Sequence, residues 1–323
     1  MYDIQGIYKD KLKKNNKLIS IEERLNYLSS IHKDIKINLK KYIKPNMKLL
    51  DIVKFIEKNI EEKLFDQINK GKAFPVGVSI NNCAAHFTCH DDCDKIILFD
   101  DIISIDYGLH YEGTIIDSAF TFSLNKKFDE LIKISKNATN FAIKNLEIGM
   151  DINNWGNKIE QFVKSHKIVL DDKNINLRTI TKLTGHNIKP WIIHGGIYLP
   201  SCDMGRTQEK LVEGVYAVEI FVTTGNDNIT FDYNDNSHYT IEKFIDTGIK
   251  RLNIFQKELI KRFKTLPFCD RWVSDLNFYD TSLKILSSKN VIKNYPPIYD
   301  ETNCYVSQFE NTVYLKKNKK IIF

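Results

Sequence analysis

The sequence predicts a mixed α+β chain, on three observations. Apolar residues recur at helical spacing over residues 21–69 and again over 128–166. Residues 102–123, IISIDYGLHYEGTIIDSAFTFS, read as two β-prone runs joined by a short turn. Two more β-prone runs, 215–223 and 305–315, each carry a glutamate near mid-length.

Composition narrows the class. With 323 residues, 42% of them hydrophobic, the chain can bury one large core or two ordinary ones. The formal charge of +6 is mildly basic, and only six of the 47 basic residues are arginine, which disfavours bidentate reading of phosphates or bases. The cysteines (Cys83, Cys89, Cys93, Cys202, Cys269, Cys304) form no CxxC pair and follow no leader-like stretch. Reduced thiols in a cytosol-like compartment are therefore expected. Cys89-His90 and Cys93 lack the second ligand pair that a zinc knuckle needs, and read as incidental loop residues. No apolar run reaches the roughly 18 residues of a membrane span.

Taken in order, residues 1–20 are polar and Lys/Asn-rich and are expected to form a loosely ordered arm. Leu25, Leu28, Ile31, Ile35 and Leu39 mark one amphipathic helix; Pro45 interrupts it, and 49–64 continue as a second. VGVSINNCAAHF reads as a strand with His86 at or near its end, followed by a loop over 88–95. Residues 128–146 and 152–166 are helical in period, the latter begun by Asp151 as N-cap. His186 and His194 lie eight residues apart, on one side if extended, but Pro190 between them predicts a kink. Residues 240–298 change to helical periodicity and read as an insertion.

The chemistry starts in the 102–123 hairpin. If Tyr111 and Glu112 form its tip, Asp106 and Asp117 face each other across the ladder, their Cβ atoms about 5 Å apart; Tyr-Glu is a poor two-residue turn, and a bulge there would shift the register. Such a pair repels by roughly 3 kcal/mol at an effective dielectric near 20, so a buried pair needs a cation or a shared proton. Glu219 inside VYAVEIFVT and Glu310 inside YVSQFENTVYL are further carboxylates in apolar strands. With His186 they make four carboxylates and one imidazole. That donor set suits a pair of hard or borderline divalent ions, Mn, Fe, Co or Zn, able to hold a bridging hydroxide and polarise a carbonyl.

Here the chain resembles the methionine aminopeptidases of type 2. The resemblance rests on AFPVGVSINNCAAHF, DIISIDYGLHYEGTIIDSAFTF, LTGHNIKPWIIHGG, VYAVEIF, NSHY, YPP and SQFENTVYL. It implies the pita-bread (creatinase/aminopeptidase) fold: a pseudo-twofold α+β body, curved antiparallel sheet with outer helices, and a type 2 helical insertion. A single catalytic domain over 21–323 is expected, with N-terminal helices in 21–69 and the insertion in 240–298. The resemblance implies two metal ions held by Asp106, Asp117, His186, Glu219 and Glu310, with Glu219 also carrying protons. His86 and His194 fall on the family's non-ligand active-site histidines. Phe74, Ile193, Phe221, His238 and Tyr295 fall on its methionine pocket. The implied reaction removes N-terminal methionine from peptides and nascent proteins with a small second residue.

Lys189-Pro190-Trp191 and Thr184 depart from the family pattern, which bears on the rim of the pocket and not on the metals. Expected partners are methionine-ended peptides and nascent chains, with at most a transient ribosome contact, no membrane and no specific nucleic acid. The chain is expected to be a cytoplasmic monomer. Two readings compete with this one. A non-catalytic pita-bread ribosome- or RNA-binding protein would have lost ligands, and a prolidase or aminopeptidase P would lack the insertion.

Overall fold

Alternation along the strands decides the architecture. The computed structural model describes residues 19–64, 69–205 and 210–323, so the expected arm lies almost wholly outside the described residues. Helices α1 (Ile21–Tyr42) and α2 (Leu49–Lys63) come first. Strands β1 (Gly77–Ile80), β2 (Ile102–Tyr111) and β3 (Thr114–Ser123) follow, then helices α3 (Asp129–Lys144) and α4 (Ile152–Lys164). Strands β4 (Thr184–Ile188) and β5 (Gly214–Thr223) precede helices α5 (Lys250–Phe263) and α6 (Tyr279–Ser288). The chain closes on β6 (Val306–Lys316) and β7 (Lys319–Ile322).

Helix α1 starts on a reciprocal cap: the Glu23 amide donates to Ser20 Oγ at 3.2 Å, and the Ser20 amide to Glu23 Oε2 at 2.7 Å. Its buried face (Leu25, Leu28, Ile35, Leu39) and that of α2 (Leu49, Ile52, Val53, Ile56) pack on Ile103, Ile105, Tyr107 and Leu109 of β2. His32 fixes the contact: it stacks on Tyr107 at 3.9 Å, donates Nε2–H to the Tyr107 carbonyl and has its own carbonyl bound by Tyr107 Oη. Helices α3 and α4 do the same for the second half, against Tyr216, Val218, Ile220 and Val222 of β5. Asp151 caps α4 as the sequence predicts, accepting from Asn153 and Asn154 amides. Odd positions of β2 and even positions of β5 thus face helices, which turns Asp106 and Glu219 to the opposite face.

In the first sheet β2 pairs antiparallel with β1 and Lys70–Lys72 along one edge and with β3 along the other. The second runs Tyr198–Pro200, β4, β5, β6, β7, also antiparallel. Between the sheets, where β3 lies against β6, side-chain hydroxyls make the bonds. Thr312 Oγ1 accepts from the Asp117 amide at 2.8 Å and donates to the Asp117 carbonyl at 2.7 Å. Ser118 donates to the Glu310 carbonyl at 2.8 Å and Thr121 to that of Gln308 at 2.7 Å.

Residues 240–298 hold α5, α6 and an apolar cluster of their own, with Phe255, Leu259, Phe268 and Leu286 at its centre. A buried bidentate pair ties this segment to the body: Arg271 reaches both Glu57 oxygens at 2.8 and 3.0 Å, and Trp272 Nε1 adds a third bond at 2.9 Å. No helix among the described residues is long and apolar enough to cross a membrane.

Two expectations need correction. The hairpin pairs Asp106 with Ala119, and Asp117 with Gly108, so the two aspartates are offset by two residues rather than opposed. The cause is the turn: Glu112 and Gly113, with φ of 46° and 78°, take the tip that had been assigned to Tyr111 and Glu112. VGVSINNCAAHF forms two short strands, β1 and Cys83–Ala85, separated by a turn in which Asn81 has φ 55°. Between His186 in β4 and His194 the chain bends as Pro190 predicts, in a tight turn in which Lys189 and Ile192 exchange amide bonds.

Replacing Thr312 with Val keeps its shape and removes both bonds to the Asp117 backbone. Leaving that buried amide unpaired is expected to lower stability by about 1–3 kcal/mol in urea unfolding of the metal-free protein. An unchanged midpoint would show that the hydroxyl seam does not hold the two sheets.

Candidate metal centre and its cavity

A cavity of about 360 Å³ opens between the two sheets and the 240–298 segment. All twelve residues singled out from the sequence line it, and each half of the chain contributes. Strands β2 and β3 bring Asp106 and Asp117, β4 brings His186, β5 brings Glu219 and Phe221, and β6 brings Glu310. Glu219 and Glu310 are directly opposed in the β5–β6 ladder. The face-to-face carboxylate pair expected of the aspartates is therefore realised by the glutamates.

Asp117, His186 and Glu310 offer ligand atoms within 4.8 Å of one another, the one such buried group among the described residues. His186 Nε2 lies 3.6 Å from Asp117 Oδ2 and 4.0 Å from Glu219 Oε1. Few protein donors serve these carboxylates. Gln308 Nε2 reaches Glu219 Oε2 at 3.2 Å and Glu310 Oε2 at 3.4 Å, while Asp106 Oδ1, Asp117 Oδ1 and Glu310 Oε1 have no partner. Buried carboxylate oxygens without donors are unfavourable unless a cation completes them.

Electrostatics agree with that geometry. Burial raises the pKa of Asp106, Asp117, Glu219 and Glu310, and for the last three the neighbouring carboxylates add to it. Burial also holds the histidines neutral: His86 and His186 are pushed down to about 4, and His194 and His238 well below the usual imidazole range. The rings form a chain. His186 meets His194 at 4.4 Å, His194 stacks on Tyr295 at 5.9 Å, and Tyr295 touches His86 at 5.5 Å and His238 at 5.1 Å. His86 has φ 67°, a left-handed conformation unusual for a residue with a side chain, and this turns its ring into the cavity.

Phe74, Ile193 and Phe221 supply the apolar wall. The Phe74 ring occupies the space above Gly108, the residue paired with Asp117; a β-carbon there would run into the ring and into the Ile116 carbonyl at 2.9 Å. Thr184 lines the cavity, but Trp191 does not. Trp191 is buried behind Phe74 with Ile115, Ile188 and Leu266, its amide bonded to the Gly113 carbonyl at 2.9 Å and its ring beside His110. The departure at Trp191 thus leaves the cavity lining untouched. Gln308 and Thr312 were missed from the sequence, although both share with Glu310 one face of the alternating QFENT run.

The raised carboxyl pKa values carry a sign. Without a cation the site retains protons near neutrality, so cation binding must expel them and must tighten as pH rises. Calorimetric titration with Mn²⁺ in two buffers of different protonation enthalpy, at about pH 7, is expected to show net proton release. No release would mean that the carboxylates are ionised before the cation arrives.

Known proteins share both sequence and shape. Residues 23–241 match the model of "Metallopeptidase family M24". Methionine aminopeptidase 2 of Yarrowia lipolytica is 36% identical over 91% of this chain, which spans 64% of that relative's length. The Schizosaccharomyces pombe protein is 33% identical over 90% of the chain and 70% of its own length. The Encephalitozoon hellem protein is 34% identical over 90% and 83%. Among solved structures, a thermophilic Arx1 superposes with TM-score 0.80 at 17% identity over 95% of this chain and 91% of that one. Methionine aminopeptidase from Thermotoga maritima gives 0.64 at 16% over 95% and 98%. At such identities these structures show a shared fold alone, the α+β pita-bread fold expected from the sequence. A metallopeptidase implies divalent metal ions, and the buried Asp, His and Glu donors with their orphaned oxygens fit such ions. The chain belongs to metallopeptidase family M24, in its methionine aminopeptidase 2 group.

Proposed function

We propose that this chain removes the N-terminal methionine from peptides and nascent proteins whose second residue is small. One observation carries the reading: a floor of four carboxylates, Asp117 and Glu310 buried and Asp106 and Glu219 half-buried, with one imidazole, largely without protein donors, beneath an apolar wall in a single cavity. Asp106, Asp117, His186, Glu219 and Glu310 would hold two divalent ions of the Co, Mn, Fe or Zn type. When bound, such ions supply Lewis acidity for a peptide carbonyl and lower the pKa of a water.

The protein's own groups do the rest. Gln308 engages Glu219 Oε2, which leaves Oε1 to take a proton from the attacking water and deliver it to the leaving amine. His194, kept neutral by burial, would donate an N–H to the substrate carbonyl as negative charge develops there. His86, also neutral, would hold the next peptide group. Phe74, Ile193 and Phe221, with His238 and Tyr295, would receive the methionine side chain.

Purified protein loaded with Mn²⁺ or Co²⁺ is expected to cleave Met-Ala, Met-Thr and Met-Val peptides, to refuse Met-Lys and to act poorly on Leu-Ala. Chelation should abolish turnover, and Asp106→Asn should lower both activity and bound metal. His194→Ala should reduce kcat by about 10²–10³, the usual loss of one oxyanion donor. Full activity after metal removal, or equal rates on Leu-Ala and Met-Ala, would sink this assignment.

A further inference from the structure

The Cys89-His90-Asp91-Asp92-Cys93 loop lies outside the reaction described above and carries two thiols, Cys89 buried with its thiol pushed up and Cys93 partly exposed. Cys83, Cys202, Cys269 and Cys304 are buried, and burial pushes their thiols up, to about 11 for Cys83 and about 12 for Cys269 and Cys304. Cys93 is the one partly exposed cysteine. The Cys89 thiol hydrogen-bonds to it and, against the opposing effect of burial, holds it down to about 6, with the Lys95 amide and ammonium assisting. Cys89 itself is wholly buried, and both side chains pack on the same apolar cluster.

The backbone closes a turn between the two residues. Cys93 N–H donates to the His90 carbonyl at 3.2 Å, closing a turn that brings residue 93 back towards residue 89. Arg271 Nε fixes the Cys89 carbonyl at 2.6 Å, and the His90 ring is gripped between Asp235, at 3.3 Å, and Asp270. A low-pKa, accessible thiol beside a buried second thiol has the layout of a nucleophile and its resolving partner.

We propose that Cys93 and Cys89 form such a pair, at which low-molecular-weight disulfides such as glutathione disulfide react to leave an internal Cys89–Cys93 bond. The Cys93 thiolate attacks one sulfur of the small disulfide, breaks its S–S bond and releases one thiolate, which takes up a proton. Cys89 then loses its proton and attacks Cys93 Sγ in the mixed disulfide, releasing the second small thiol. Two protein thiols are oxidised by two electrons, and one small disulfide is reduced to two thiols.

The test is intact mass and peptide mapping of the metal-loaded full chain after treatment with glutathione disulfide. The wild type is expected to lose two hydrogens, carry a single Cys89–Cys93 cross-link and recover with dithiothreitol. Cys89→Ala should stop at a glutathione adduct on Cys93, and Cys93→Ser should leave Cys89 unmodified. Iodoacetamide labelling of the reduced wild type near neutral pH should reach Cys93 at least about tenfold faster than any other cysteine, which tests the nucleophile even if Cys89→Ala does not fold. A persistent glutathione adduct on wild-type Cys93, first labelling at another cysteine, or no reaction where free thiols oxidise readily would overturn the proposal.

Discussion

Four carboxyl groups share one buried space in this protein, and most of the structure around them can be read as the means of keeping them there. Two unit charges about 4 Å apart repel by about 4 kcal/mol at an effective dielectric near 20, and here Asp117, Glu219 and Glu310 each feel at least one neighbouring carboxylate. Burial strengthens the repulsion and also removes the water that would otherwise solvate the oxygens. The arrangement persists because the four groups are anchored in rigid strands from both halves of the chain. Raised carboxyl pKa values lessen its charge, and bound cations would compensate the rest.

The surroundings serve the same constraint. Along the β3–β6 seam, hydroxyl groups replace a regular backbone ladder, so Asp117 and Glu310 can approach from two different sheets. Gln308 supplies donors without adding charge. The imidazoles above the floor are neutral by burial, so they add hydrogen-bonding capacity and no competing positive charge. The Glu57–Arg271 pair lies outside this space and joins α2 to the segment that brings Tyr295 to the cavity.

Much of this was legible in the chain, for identifiable reasons. A carboxylate in the middle of an apolar strand is conspicuous, and period-two alternation says which neighbours share its face. The misread hairpin turn shifted the pairing by two residues and still left Asp106 and Asp117 on one face, because a shift of two preserves the face while a shift of one reverses it. Gly113 was the signal that would have set the register, since a turn with two positive φ angles favours glycine. Trp191 was not legible. Its place behind Phe74 depends on a positive φ of 65° and on the segment that supplies Leu266, and neither is encoded locally. Thr312 looked like an ordinary strand residue because its partner, the Asp117 backbone, belongs to the other half of the chain.

Gly108 couples two properties that might otherwise vary separately. It pairs with Asp117 across the ladder, and its absent side chain is the space that Phe74 fills. The apolar wall therefore rests directly on the backbone of the strand that carries Asp106. Any larger residue at 108 would push Phe74 into the cavity or bend that strand. The first outcome changes which side chain the cavity admits; the second displaces the carboxylate floor. The cavity's apolar wall and its carboxylate floor share one mechanical support, so redesign of the wall has to leave position 108 alone and work from Ile193 or Phe221 instead.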